Sequence, residues 1–258
     1  MMPQEKQRLD VLVHEQGLAP SREMAQRYIL AGEVTVDGVL QTKPGTKVST
    51  TAEIVLKQAA PFVSRGGEKL EGALATFGLD VKGWCCADVG ASTGGFTDCL
   101  LQRGATKVYA LDVGYGQLAH KLRIDPRVVS MERTNVRYQE TLDEPIRLVV
   151  MDVSFISILL LLPTIRGWLT PDGEIVTLIK PQFEAGKADV GKGGIVKDTE
   201  VHRRVLNDIL TQAQAMGYTV RGLVQSSITG SKGNIEFLAW LGLGTSIADL
   251  TPLIEAVL

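Results

Sequence analysis

The chain is predicted to fold as an α/β protein, a doubly wound and mostly parallel sheet preceded by a small α+β unit. Three observations carry that reading. Apolar runs at 85–89, 108–111, 128–131, 148–151 and 174–179 alternate with helical patterns at 93–103, 156–168 and 199–216. Runs with so few polar interruptions belong to parallel strands buried on both faces, with the helices as right-handed crossovers. The first run leads through Asp88 and a loop of small residues, A-D-V-G-A-S-T-G-G-F, into a helix. There Gly90, Gly94 and Gly95 let the backbone turn sharply and approach a ligand. Before residue 60 the elements are shorter and of a different kind, so the expected domains are 1–60 and 61–258.

Composition narrows the class. With 258 residues, 45% hydrophobic and 22% charged, the chain suits a globular protein of one or two domains. No apolar run approaches the roughly eighteen residues of a membrane span, and 156–163 is the longest. The start, M-M-P-Q-E-K-Q-R, lacks a signal-peptide core, and Cys85, Cys86 and Cys99 form an odd set without metal spacing. The expectation is a cytoplasmic protein with no membrane partner and no metal. A net charge of −2 argues against indiscriminate nucleic-acid binding, so any RNA contact must come from local patches.

In the first unit, Leu9, Leu12 and Val13 share a helical face that Gly17 ends. A second helix, 21–31, starts at a Ser21 cap and stops at Gly32. Val34–Val36 then runs into an Asp37-Gly38 hairpin turn, and Lys43-Pro44-Gly45 turns the chain again before a strand at 53–56. Arg22 and Arg27 lie off the apolar face of the second helix, as solvated charges or as phosphate contacts. Residues 58–61 read as a linker. The following V-S-R-G-G-E-K-L opens a helix with Leu70, Ala73, Leu74 and Phe77 at helical spacing. Lys69 in its first turn opposes the helix dipole, a local inconsistency of the kind functional sites show.

In doubly wound sheets ligands bind beyond the carboxyl ends of the parallel strands. Asp88, Asp112, Asp152 and Lys180 each end or follow an apolar run. Asp112, about twenty residues beyond the glycine loop, stands where an acid can hold ribose hydroxyls. Runs at 219–224 and 236–241, joined by a short loop, are expected to pair antiparallel. That pairing brings Glu236 to the same edge; otherwise it is an ordinary strand-edge acid.

Two resemblances sharpen these readings. S-R-E-M-A-Q-R-Y-I-L-A-G-E-V-T-V-D-G with K-P-G-T-K-V resembles the S4-type RNA-binding domain over about fifty residues. It implies structured RNA as a partner, met by Arg22, Arg27, Lys43 and Lys47. D-V-G-A-S-T-G-G-F is similar to the cofactor loop of FtsJ-like S-adenosylmethionine-dependent methyltransferases, which modify RNA ribose 2′-hydroxyls with a Lys-Asp-Lys-Glu tetrad. The matching positions are Lys69 in R-G-G-E-K-L, Asp152 in M-D-V-S-F, Lys180 in I-K-P-Q-F and Glu236 in N-I-E-F. An S4-type domain joined to such a domain resembles the TlyA, or haemolysin A-like, family. The resemblance implies a Rossmann-like class I methyltransferase fold, S-adenosyl-L-methionine as cofactor, and cytidine 2′-O-methylation of ribosomal RNA in ribosomal subunits.

It also implies a cofactor set of Asp88, Gly90, Ser92, Thr93, Gly94, Gly95, Phe96, Asp112 and Asn135. Phe96 replaces a tryptophan frequent in the wider group, and Asn135 replaces an aspartate of some relatives. For the chemistry, a hydroxyl must attack a sulfonium methyl in line and lose its proton. Lys180 is the expected base and must act as the neutral amine; a sulfonium and Lys69 favour that form, while Asp152 and Glu236 favour the ammonium. Lys69 and Glu236 would orient the substrate. Residues 182–198, with four glycines and Lys187, Lys192 and Lys197, read as a substrate lid on the RNA backbone or as a solvated loop. The loop 226–234, with Lys232, is a second RNA contact. His14, His120 and His202 are scattered and read as structural or surface residues. Two other classes compete: a haemolysin or membrane-active protein, which needs an amphipathic or spanning segment that the sequence lacks, and an RNA-binding module with an inactive domain, which the complete tetrad opposes.

Overall fold

The computed structural model describes residues 5–57, 60–244 and 249–258, and divides into two compact units, Met1–Ala60 and Pro61–Leu258. Gln58 and Ala59 of the expected linker lie outside the described residues.

In the first unit a strand β1 (Lys6–Arg8) leads into helix α1 (Leu9–Glu15), and α2 (Arg22–Leu30) follows. Ser21 Oγ caps α2 by accepting from the Met24 amide at 3.2 Å. Strands β2 (Val34–Val36), β3 (Val39–Gln41), β4 (Lys47–Ser49) and β5 (Ile54–Leu56) complete the unit. A three-stranded antiparallel sheet has the order β3-β2-β5, and β1 pairs with β4. The β1–β4 pair is absent from the sequence expectation, because three residues are too few to show a period of two. Leu9, Leu12, Val13, Ala25, Ile29, Val34 and Ile54 form the core.

The second unit opens with helix α3 (Gly66–Phe77), then β6 (Cys85–Val89), α4 (Gly95–Gln102), β7 (Lys107–Leu111), α5 (His120–Arg123), β8 (Val128–Met131) and β9 (Ile146–Met151). After it come α6 (Leu162–Arg166), β10 (Leu169–Ile179), α7 (Pro181–Glu184), α8 (Thr199–Ala215), β11 (Tyr218–Gln225), β12 (Phe237–Leu243) and α9 (Thr251–Glu255). The seven strands form one sheet in the order β11-β12-β10-β9-β6-β7-β8, with β12 antiparallel to both neighbours. Successive strand residues supply opposite cores, as a pleat requires. Leu148 and Val150 pack toward α3 and α4, whereas Val149 and Met151 pack toward α6 and α8.

One expected helix is broken. Residues 156–168 form a 3₁₀ turn, Ile158–Leu160, followed by the short α6. Pro163 has no amide proton and sits in the first turn of α6, where a helix can begin but not continue. Its apolar side chains still reach the core: Ile158, Leu161, Leu162 and Ile165 are buried. The expected crossover helix over 199–216 forms as α8, with Asp198 capping it by accepting from the Glu200 amide at 2.9 Å.

Candidate active site

The parallel strands β6, β7, β9 and β10 deliver Asp88, Asp112, Asp152 and Lys180 to one edge of the sheet. Phe237 pairs with Ile179 in antiparallel register, so the start of β12 carries Glu236 to that edge too. Sheet topology thus brings three residues of the expected tetrad, Asp152, Lys180 and Glu236, to one edge, and helix α3 supplies Lys69.

They meet as two ion pairs. Lys69, in the first turn of α3, donates from Nζ to Glu236 Oε2 at 2.5 Å, and both side chains are buried. Glu236 Oε1 accepts from Gln182 Nε2 at 3.1 Å. The carboxylate reaches this position because residue 230 is glycine; a Cβ there would stand 2.0 Å from Oε1. The second pair joins Lys180 Nζ to Asp152 Oδ1 at 2.5 Å, with Ser154 Oγ accepting from Nζ at 3.1 Å. The Phe183 ring lies 5.7 Å from the same Nζ.

A cavity of about 260 Å³ opens between the pairs, bounded by Lys69, Asp88, Phe96, Asp152, Lys180 and the glycine loop. Gly90, Ser92, Asp152 and Ser154 also belong to the wall of a second cavity of about 360 Å³, which Asp112, Val113 and Asn135 line. Gly90 has φ +83°, and a Cβ there would meet the Asp152 carbonyl oxygen at 2.6 Å. Asp112 holds the loop by accepting from the Ser92 and Gly114 amides, each at 2.7 Å. Asn135 Oδ1 accepts from the Arg137 amide at 3.1 Å, capping a short 3₁₀ turn. Thr93, Gly95 and Phe96 border the first cavity, and Gly94 precedes α4.

Asp88 lies under the first cavity, fully buried. Its Oδ2 accepts from the Thr97 amide at 2.9 Å and from Thr97 Oγ1 at 2.7 Å. Its Oδ1 is buried with no partner among the described residues. Burial pushes the carboxyl up to about 7, against the two Thr97 bonds that pull it down.

Four further residues of the site are not singled out by the sequence reading. Arg65, at the mouth of the first cavity, donates from Nη2 to the Thr229 carbonyl at 2.9 Å. Ser154 and Gln182 hold Lys180 and Glu236 as described. Phe155 follows Ser154 at φ +64°, a strained backbone for a non-glycine residue. Its side chain is 90% exposed and packs on Phe183 with ring centroids 4.8 Å apart. All four sit inside, or within four residues of, the strings that carry Lys69, Asp152 and Lys180, so an exposed aromatic after a strand-end acid is the signal that could have found Phe155.

The expected lid is a structured segment and not a loose loop. It contains α7, a 3₁₀ turn at Lys187–Asp189 and a bridge between Gly191 and Ile195. Lys232 Nζ donates to the Gly193 carbonyl at 2.8 Å, and Asn234 Nδ2 to the Gly194 carbonyl at 2.9 Å. Asn234 Oδ1 accepts from the Val196 amide at 3.1 Å, so the two loops form one body. Lys187, Lys192 and Lys197 are exposed on it. In the N-terminal unit Arg22, Arg27, Lys43 and Lys47 are exposed. Arg22 also has an internal duty: its Nε donates at 3.0 Å to the buried Asp10, which also accepts from Arg8 and Gln26. These three donors hold the Asp10 carboxyl far below the usual carboxylate range. His202 is buried, with Nε2 3.2 Å from the Val196 carbonyl oxygen, and His14 Nδ1 lies 3.1 Å from that of Ala19.

Both units of the chain are similar to known proteins. A family model described as FtsJ-like methyltransferase matches residues 62–243, and one described as S4 domain matches residues 7–54. A Bacillus subtilis protein described as a candidate rRNA methyltransferase, YqxC, is 50% identical over 96% of this chain and 91% of its own. The Mycobacterium tuberculosis 16S/23S rRNA (cytidine-2′-O)-methyltransferase TlyA is 46% identical over 93% of this chain and 91% of its own. A solved structure from Streptococcus thermophilus, described as a candidate hemolysin, is 46% identical with a TM-score of 0.75, covering 99% of this chain and 95% of that one. The chain belongs to the FtsJ-like methyltransferase family, and within it to the S4-bearing TlyA, or haemolysin A-like, group.

Proposed function

We propose that this chain is an S-adenosylmethionine-dependent methyltransferase acting on a ribose 2′-hydroxyl of cytidine in ribosomal RNA. The observation that carries the reading is the convergence of the two lysine–carboxylate pairs on one cavity beside the glycine loop.

The residues present fit the cofactor. Asp88 Oδ1 is an orphaned buried acceptor under the cavity, suited to the cationic amino-acid end of S-adenosylmethionine. Asp112 and Asn135 line the adjoining cavity, suited to its ribose and adenine. Gly90, Ser92, Thr93, Gly94, Gly95 and Phe96 shape the passage between. When bound, the cofactor supplies a methyl group on a sulfonium.

In its neutral form, reached by release of the ammonium proton to solvent beforehand, Lys180 Nζ takes the proton of the ribose hydroxyl as that oxygen gains the methyl group and the methyl–sulfur bond breaks. The ammonium so formed is already provided for, because Asp152 Oδ1 and Ser154 Oγ accept from Nζ. Lys69, fixed by Glu236, holds the attacking oxygen from the other side of the cavity. Holding both groups in place removes most of the entropic part of the barrier. Phe155, exposed at the mouth, offers a face for the target base, since unpaired RNA bases stack on aromatic side chains. Arg22, Arg27, Lys43 and Lys47 on one unit, and Lys187, Lys192 and Lys232 on the other, supply phosphate contacts. A protein that modifies ribosomal subunits would act in the cytoplasm.

A membrane-active role has less support: among the described residues no helix is long and apolar enough to cross a membrane. An inactive RNA-binding module would have no use for the assembled tetrad. The test is transfer of labelled methyl groups from S-adenosylmethionine to purified ribosomal subunits, followed by alkaline hydrolysis. Label at a cytidine that resists cleavage is expected, because a 2′-O-methyl blocks that reaction. Label on protein, or at a cleavable position, would refute the proposal.

A further inference from the structure

The aromatic residues left most exposed are not scattered. Among the described residues, the large exposed aromatics are Tyr115 (69%), Tyr138 (73%) and Phe155 (90%). Tyr115 and Phe155 each follow a parallel strand on the same edge, Tyr115 after β7 and Phe155 after β9, while Tyr138 ends the 3₁₀ turn Val136–Tyr138 that leaves β8 and runs beside α6. In the order β9-β6-β7, with neighbouring strands about 4.8 Å apart, the strands that lead to Phe155 and Tyr115 end roughly 10 Å apart along the edge.

Both tyrosines have an arginine beside them. The Arg133 guanidinium carbon lies 4.1 Å from the Tyr115 ring centroid, and that of Arg137 lies 5.7 Å from the Tyr138 ring. The Arg133 amide donates to the Gly114 carbonyl at 2.9 Å, tying the two loops together, and its own φ is +56°. The nearby Glu132 carboxylate is engaged by the Gly116 amide at 2.8 Å. Neither tyrosine nor either arginine lines the two cavities assigned to the cofactor. They form a surface next to it.

Flat rings presented to solvent, each with a fixed positive charge alongside, match one kind of partner. Unpaired nucleotides offer a π-face for the ring and a phosphate for the guanidinium. We propose that Tyr115 and Tyr138, with Arg133 and Arg137, are a stacking platform for unpaired bases of the RNA substrate flanking the target nucleotide. This rests on RNA as the substrate. It adds a sequence-tolerant grip on single-stranded RNA along the adenosine side of the cleft, opposite the lysine-bearing loops.

The experiment uses the full chain carrying Tyr115→Ser with Tyr138→Ser, and a control with Tyr115→Phe and Tyr138→Phe. Binding to fluorescent ribosomal RNA fragments, methyl transfer to ribosomal subunits, cofactor affinity by calorimetry and thermal melting are measured on each. The serine variant is expected to lose about ten- to a hundredfold in RNA affinity, with the same rise in KM. Its cofactor affinity, melting temperature and salt dependence of RNA binding stay as in wild type, and the phenylalanine control binds RNA normally. RNA affinity within twofold of wild type would overturn the platform. So would a parallel fall in cofactor affinity, which would make the tyrosines part of the cofactor site. A wild-type protein that binds RNA yet transfers no methyl would sink the proposed reaction, leaving the platform to be judged by binding alone. No RNA binding by wild type overturns both.

Discussion

The two ion pairs of the site have the same 2.5 Å separation and opposite surroundings. Lys69–Glu236 is closed: the glutamate side chain is 3% exposed and its second oxygen is taken by Gln182. Lys180–Asp152 is open: the aspartate side chain is 24% exposed, and Nζ keeps Ser154 as a second acceptor. A closed pair is a fixture, because breaking it strands a charge away from water. An open pair beside a cavity can exchange a proton without leaving a charge unsolvated. The difference divides the proposed labour, with orientation by Lys69–Glu236 and proton transfer by Lys180–Asp152.

Stability measurements sharpen the contrast. Lys69→Met leaves the Glu236 carboxylate buried with only Gln182, and about 3–5 kcal/mol of stability is expected to disappear. Lys180→Met leaves the more accessible Asp152, which water can reach, and the loss is expected to be less than half as large. Trp84, Trp168 and Trp240 all belong to the second unit, so tryptophan fluorescence during urea unfolding reads that unit alone. Equal losses for the two variants would erase the distinction between the pairs.

Asp88 offers a smaller, pH-dependent comparison beneath the same cavity. Its carboxyl, pushed up to about 7 by burial, keeps a proton that the unfolded chain has already released. Stability without cofactor is therefore expected to fall as pH rises from about 4 to about 7, by a few kcal/mol at most, and then to level. Cofactor binding has the opposite sign: if Oδ1 receives the cationic end of the cofactor, affinity climbs through the same window. Asp88→Asn should flatten both curves. Calorimetric titrations and urea melts at several pH values check this, and an unchanged affinity profile in the variant would remove Asp88 from the cofactor site.

Much of this arrangement is legible in the amino-acid sequence. Asp88, Asp112, Asp152 and Lys180 announce themselves because a charge at the end of an apolar strand is locally anomalous. Glu236 is different: no apolar run precedes it, and its place at the edge is legible only through the antiparallel pairing that the short loop 226–234 implies. Other features depend on interactions distant in sequence and escape a local reading for that reason. The loop 182–198 is tied down in part by Lys232 and Asn234, some forty residues away. Arg22 is drawn toward Asp10 on the preceding helix, which a helical wheel of α2 alone does not show. The break at Pro163 is visible in the sequence, but the apolar periodicity around it outweighs the missing amide.

The central claim, that Lys180 accepts the proton, is tested most directly by single-turnover methyl transfer in Lys180→Ala. Ribosomal subunits would be in excess and calorimetric cofactor affinity measured on the same preparation. The account predicts a rate loss of at least about 10²–10⁴, the usual worth of a positioned general base, with cofactor affinity within a few-fold of wild type. A variant that transfers methyl groups near the wild-type rate would contradict it.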